Sequence, residues 1–146
     1  MNELQAALGL LTLKMVESEQ LARKLVASVY RERLTALEGI SIFDIPENIE
    51  NSQQYFIVRI DPNVCSVSRD LLCESLKKYN IVTRKYFFPL CSDYNCYRSL
   101  PSASATNLPV AHRVAQEVLS LPFYGGLRKD DAHQICDAIQ YIVRRN

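Results

Sequence analysis

The first thirteen residues restrict most strongly what this chain can fold into. At helical spacing Leu4, Leu8 and Leu11 fill one face, while Ala6, Leu10 and Leu13 fill another. A helix that is apolar nearly all round is buried on several sides. With 146 residues the chain is the size of one ordinary domain, and a terminal helix on such a domain finds cover on one side only. Leu4, Leu8 and Leu11 are expected against the domain's own sheet. Ala6, Leu10 and Leu13 are expected against a surface contributed by another domain or another chain.

The helical pattern is predicted to run over residues 2–37. That stretch contains no Pro, and Gly9 is its only Gly. Asn2 is a natural N-cap, Leu21, Leu25, Val29 and Leu34 continue the repeat, and Gly39 supplies a C-cap signal. The polar run Glu17–Gln20 is the place where the helix can bend.

Strands are predicted at 40–45, ended by Pro46, at 54–60, and at 81–88, ended by Pro89. Between the second and third lies a helix capped by Ser68, with Leu71, Leu72, Leu76 and Tyr79 on one face and Asp70 in its first turn. Residues 91–109 lack periodicity and read as a lid or binding loop. A helix opening at Pro109 comes next, with Val110, Val114 and Val118 spaced at four. The short strand 119–124 contains Pro122, which points to an edge or bulged strand. The last helix carries Ala132, Ile135, Cys136, Ile139, Ile142 and Val143 as its stripe, with Asp130 and Asp131 at its start and Arg144 and Arg145 at its end. The expected fold is α+β: a long N-terminal helix, then a small, mostly antiparallel sheet with helices packed on it, in one domain.

Composition narrows the function by exclusion. The chain is 48% hydrophobic and 23% charged, with a net charge of +1. It has no bulk field for nucleic acid or an anionic membrane. Glu3 stands where a secretion signal is basic, and Lys14 ends the apolar stretch too early for a membrane span. Cys65, Cys73, Cys91, Cys96 and Cys136 form no C-x-x-C pair, and His112 and His133 lie far from them in sequence. Reduced thiols in a cytoplasmic protein are expected, with no zinc site.

No phosphate-binding glycine loop, metalloprotease helix or serine elbow is present. Arg84-Lys85-Tyr86-Phe87-Phe88-Pro89-Leu90 sets cations and aromatics on a strand running into the long loop. It reads either as a solvated edge strand or as a binding edge, with Arg84 or Lys85 meeting a phosphate and Tyr86 stacking or hydrogen bonding. Cys91 or Cys96 with a histidine would instead make a small thiol enzyme.

Three stretches, in order, resemble one family: the DegT/DnrJ/StrS-type sugar aminotransferases. They are Met1-Asn2-Glu3-Leu4-Gln5-Ala6-Ala7-Leu8-Gly9-Leu10-Leu11, then residues 81–91, then residues 109–127. The resemblance implies the C-terminal small domain of a fold type I aminotransferase, with residues 1–37 as the helix bridging to a large cofactor domain. It also implies pyridoxal phosphate in the complete enzyme and none on this chain alone, because the Schiff-base lysine and the Asp for the pyridinium nitrogen belong to the large domain. The implied partners are that large domain, a second copy in a homodimer, and a nucleotide-linked keto sugar, with glutamate as the amino donor. Tyr86, Arg84 and Tyr94 are the implied substrate contacts. Tyr86 stands where many members carry a substrate-side His, Cys91 replaces a second His, His112 replaces a Glu, and Arg128 replaces the Thr that caps the last helix. A stand-alone binding module on the same fold is the alternative that involves no chemistry.

Overall fold

The computed structural model describes residues 1–145. Helices α1 (Glu3–Leu13) and α2 (Val16–Leu34) open the chain, followed by strands β1 (Ile40–Ile42) and β2 (Phe56–Ile60). Then come α3 (Arg69–Lys77), β3 (Arg84–Lys85), α4 (Pro109–Glu117), β4 (Val118–Leu121) and α5 (Lys129–Arg145). The sheet is antiparallel throughout, in the order β1-β2-β4-β3. This is the α+β architecture expected from the sequence.

One face of the sheet makes the core. Ile40, Phe56, Val58, Ile60, Leu119 and Leu121 alternate toward it and meet Val26, Val29, Tyr30 and Leu34 of α2 and Ile135, Cys136, Ile139 and Ile142 of α5. The Tyr30 hydroxyl donates to the Pro122 carbonyl at 2.8 Å. Arg33 ties α2 to α5 through Asp137, Gln140 and His133 Nδ1.

Caps mark the element ends. Asn2 Oδ1 accepts from Gln5 N while Gln5 Oε1 accepts from Asn2 N, a complete capping box. Ser68 accepts from Leu71 N. Helix α3 ends in a Schellman motif, with Asn80 at φ 59° and Ile81 N bonded to Leu76 O. Gly39 sits at φ +78°, and a Cβ there would lie 2.4 Å from Cys65 N, so only glycine fits.

The structure corrects several expectations. The first helix breaks at Lys14–Met15, ahead of the polar run, and none of α1 is buried. Leu4, Leu8 and Leu11, expected on the sheet, are as exposed as Leu10 and Leu13. In α2 the buried stripe is Val26, Val29, Tyr30 and Leu34, while Leu21 and Leu25 face outward. In α3 Leu71 is exposed, and Arg69 and Cys73 join Leu72 and Leu76 inside; Tyr79, beyond the helix, is exposed too. The third strand shrinks to Arg84–Lys85, because the α3 cap uses residues up to Ile81 and a turn begins at Tyr86. Strand β4 is central, not an edge: Pro122, which lacks an N–H, falls just past its last residue. Val118, expected on the helix, begins that strand.

Candidate substrate-side face

The strand register decides which side chains share a face. Ser120 pairs with Ile57 on β2 and with Arg84 on β3, so Ile57, Ser120 and Arg84 form a row across three strands. Val58 and Leu119, one residue along, belong to the core. The row therefore lies on the opposite face, which α4 covers in part by setting Ala115 and Val114 over Val118 and Ile57. Beside that cover runs the Arg59–Glu117 ion pair at 2.6 Å, with Glu117 buried.

Between α4 and the sheet edge is a recess of about 390 Å³ lined by Tyr86, Phe87, Leu90, Phe43, Ile57 and Val114 with their neighbours. The half-buried Tyr86 ring stacks on Phe87 at 4.1 Å between centroids and tilts against Tyr55 at 5.0 Å. A second recess of about 560 Å³ shares Phe43 and Ile57 with the first and adds Lys24, Arg31, Asn51, Gln53 and Tyr55. The first is lined by aromatic and aliphatic side chains, and the second adds the cations Lys24 and Arg31. The Arg31 guanidinium donates to Phe43 O at 3.0 Å and lies 3.8 Å from the fully exposed Asp44 carboxylate.

Of the sequence-predicted contacts, Tyr86 lines the recess. Arg84 is exposed on the edge strand in the same face row. Tyr94 lies in the 91–108 segment, outside that lining, where its carbonyl accepts from Tyr97 N and Arg98 N. Lys85, offered with Arg84 as a phosphate contact, is instead paired with Asp70 at 2.8 Å. Phe43, Tyr55 and Ile57 escaped the sequence reading. The alternation of 55 and 57 along a strand signals a shared face, but only the packing of the 86–87 turn against Tyr55 and Ile57 brings Tyr86 to it.

Segment 91–108 is a series of turns with two short 3₁₀ turns, Cys91–Asp93 and Pro101–Ala103. Cys91 and Cys96 are exposed, and neither has a hydrogen bond to an imidazole: His112 faces Asp93 at 3.8 Å, and His133 faces Arg33. A thiol nucleophile here lacks its base. Among the described residues no group of three His, Cys, Asp or Glu side chains could hold a metal ion.

The family model of the DegT/DnrJ/EryC1/StrS aminotransferases matches residues 1–140, and the chain belongs to that family. It is 45% identical over 130 residues to the dTDP-4-amino-4,6-dideoxy-D-glucose transaminase of Escherichia coli, an overlap of 89% of this chain and 35% of the relative. To the Shigella dysenteriae transaminase of the same name it is 32% identical, over 97% of this chain and 38% of the relative. Among solved structures, DesI, crystallised with its TDP-sugar product, superposes with a TM-score of 0.90 at 34% identity, over 99% of this chain and 36% of DesI. The S. venezuelae DesV, solved in complex with a ketimine intermediate, gives 0.88 at 26% identity over 100% of this chain and 38% of DesV. The chain thus spans a little over a third of the relatives it matches.

Complete enzymes of the family work with pyridoxal phosphate. The described residues do not fit a covalently held one. Such a site needs a lysine for the Schiff base and a charged partner for the pyridinium nitrogen. Lys77 and Lys85 are paired with Glu74 and Asp70. Lys24 lines a recess that holds no carboxylate, and Lys14, Lys78 and Lys129 are exposed.

Proposed function

We propose that this chain is the substrate-facing small domain of a pyridoxal-phosphate-dependent aminotransferase that aminates a keto sugar carried on a nucleoside diphosphate, with glutamate as donor. The observation that carries the reading is the Tyr86 recess on the sheet face opposite the core, in a chain 45% identical to a dTDP-sugar transaminase. Tyr86 offers a hydroxyl and a ring face to the sugar. Arg84, with no ion-pair partner among the described residues, offers a charge to a phosphate oxygen. Tyr94, on the 91–108 segment outside the recess lining, is the third proposed contact. The lysine and the cofactor come from a large domain, on this polypeptide or a separate one, and the complete enzyme is a homodimer.

Helix α1 is the proposed docking element for that large domain. Burying Leu10 and Leu13 there contributes about 1.5–3 kcal/mol each before association costs. Among the described residues no helix is long and apolar enough to cross a membrane. The free thiols Cys65, Cys73, Cys91, Cys96 and Cys136 suit a reducing cytoplasm.

The test is reconstitution with the cofactor domain of the Escherichia coli relative, reading the two half-reactions separately. Tyr86→Ala is expected to weaken the sugar half-reaction by about 1–3 kcal/mol, the cost of a buried hydrogen bond left unmade, and to spare the glutamate half-reaction. Equal losses in both would place Tyr86 in the general fold and remove it from the sugar site.

A further inference from the structure

Strand β3 is too short to fix the position of the aromatic residues beyond it. Only Arg84 and Lys85 pair with β4, on one side, and Tyr86 and Phe87 then leave the ladder in a turn closed by Phe88 N to Lys85 O at 3.2 Å. Both ends of that turn are held from outside the strand. The Asp70 Oδ1 atom, on α3, accepts from Lys85 Nζ at 2.8 Å and from Arg69 Nε at 2.6 Å. Arg69 is 2% exposed, and its Nη1 donates to Ala115 O and Val118 O, both at 2.9 Å, where β4 begins. The Phe88 ring lies under both cations, 5.6 Å from Lys85 Nζ and 5.5 Å from Arg69 Cζ. Lys85 and Phe88 are thus anchored through one carboxylate, and Tyr86 and Phe87 are the two residues between them.

We propose that Asp70 is a positioning residue: it joins α3 and the start of β4 to the edge turn and thereby sets where Tyr86 stands in the recess. The inference rests on the reading of Tyr86 as a sugar contact. Asp70 itself is exposed and touches no part of the recess lining. An ion pair at such a site adds little global stability, so its effect is local order. This separates the proposal from the plainer role of a carboxylate at a helix N-terminus, which would act on α3 alone. The charged groups around Asp70 are Arg69 and Lys85, with Arg113 and Glu117 lining the same hollow and Glu117 already held by Arg59.

The purified chain, Asp70→Asn and Lys85→Met are compared by amide hydrogen exchange resolved by NMR and corrected for intrinsic rates. The Phe88 amide is expected to open at least tenfold more often in both variants, and no further in the double variant. Val58 and Leu119 in the ladder, and Leu72 in α3, should stay within twofold. On acidification the wild-type turn should loosen as the Asp70 carboxylate takes up its proton, and Asp70→Asn should show no such step. An unchanged Phe88 amide in Asp70→Asn overturns the proposal, whatever Tyr86 touches. Loosening confined to Leu72 and its neighbours overturns it in favour of the helix-end role. Failure of the sugar reading appears instead in the half-reaction test of Tyr86→Ala and leaves this exchange result standing.

Discussion

Helices α1 and α5 make an instructive pair. Helix α1 carries Leu4, Leu8, Leu10, Leu11 and Leu13 and buries none of them; Leu8 and Leu10 are 65% and 64% exposed. Helix α5 carries no leucine, yet buries Ala132, Ile135, Cys136, Ile139 and Ile142. The apolar residues of α5 fall in one stripe, with Asp130, Asp131, Arg144 and Arg145 placed for the helix dipole at its ends, so the helix can dock on one side and stay wet on the other. Those of α1 surround the axis, and none of the described residues buries them. Total hydrophobicity therefore does not locate the core; the angular distribution of apolar residues does.

The largest effect should come from breaking that contrast directly. Ile139→Ala removes a fully buried side chain and is expected to cost about 2–5 kcal/mol. Leu8→Ala, on the exposed helix, should fall within about 0.5 kcal/mol. Urea denaturation of both variants reads the difference; a Leu8→Ala loss comparable to Ile139→Ala would mean that α1 packs on this domain after all.

Alkaline pH probes the packed side, where burial raises the pKa of one thiol and one phenol. Burial pushes the Cys136 thiol up to about 11 from its usual 9. The folded state then holds its proton where the unfolded chain has lost it, so stability is intact below pH 9 and declines as pH rises toward 11. The expected loss is about 2–3 kcal/mol. Burial likewise raises the Tyr30 hydroxyl well above the ordinary tyrosine range, adding to the decline at still higher pH. Cys136→Ala should flatten the part between pH 9 and 11 in urea midpoints measured against pH; an identical profile would deny the thiol its role.

Tyr30→Phe isolates one bond between α2 and the end of β4. It leaves the Pro122 carbonyl without its 2.8 Å partner and is expected to cost about 1–3 kcal/mol. Asn2→Ala should do less: the lost capping box weakens α1 by about 1 kcal/mol. It should show as faster exchange of α1 amides with no shift of the global unfolding midpoint.

The sequence carried the packed half of the molecule well. The α5 stripe and the Ser68 and Asn2 caps arise from local pattern, because each depends on residues within a few positions of one another. Gly39 carries the C-cap signal of the first helix, but α2 is capped at Thr35, and Gly39 instead turns the chain against Cys65, a contact distant in sequence. The α1 leucines were legible as a surplus, but a pattern along one helix does not reveal which neighbour is present. The role of Lys85 was not legible, since Lys85 is on strand β3, its partner Asp70 lies on helix α3, and the pairing exists only once α3 packs beside β4. For the same reason Tyr86 stood out as an unusual residue, while Phe43 and Ile57, ordinary in sequence, became its neighbours only once the segments after β1 and β3 pack beside β2.

The proposed docking role of α1 rests on its ring of exposed leucines. Sedimentation of the purified chain across a concentration series, alongside a Leu10→Glu/Leu13→Glu variant, tests it most directly, with hydrogen exchange of α1 read in the same samples. The wild type is expected to self-associate as concentration rises, with α1 amides protected only in the associated form. The double variant is expected to stay monomeric, with its β2 and β4 amides still protected. A wild-type chain that sediments as a clean monomer at high concentration, with α1 already protected from exchange, would contradict the docking role.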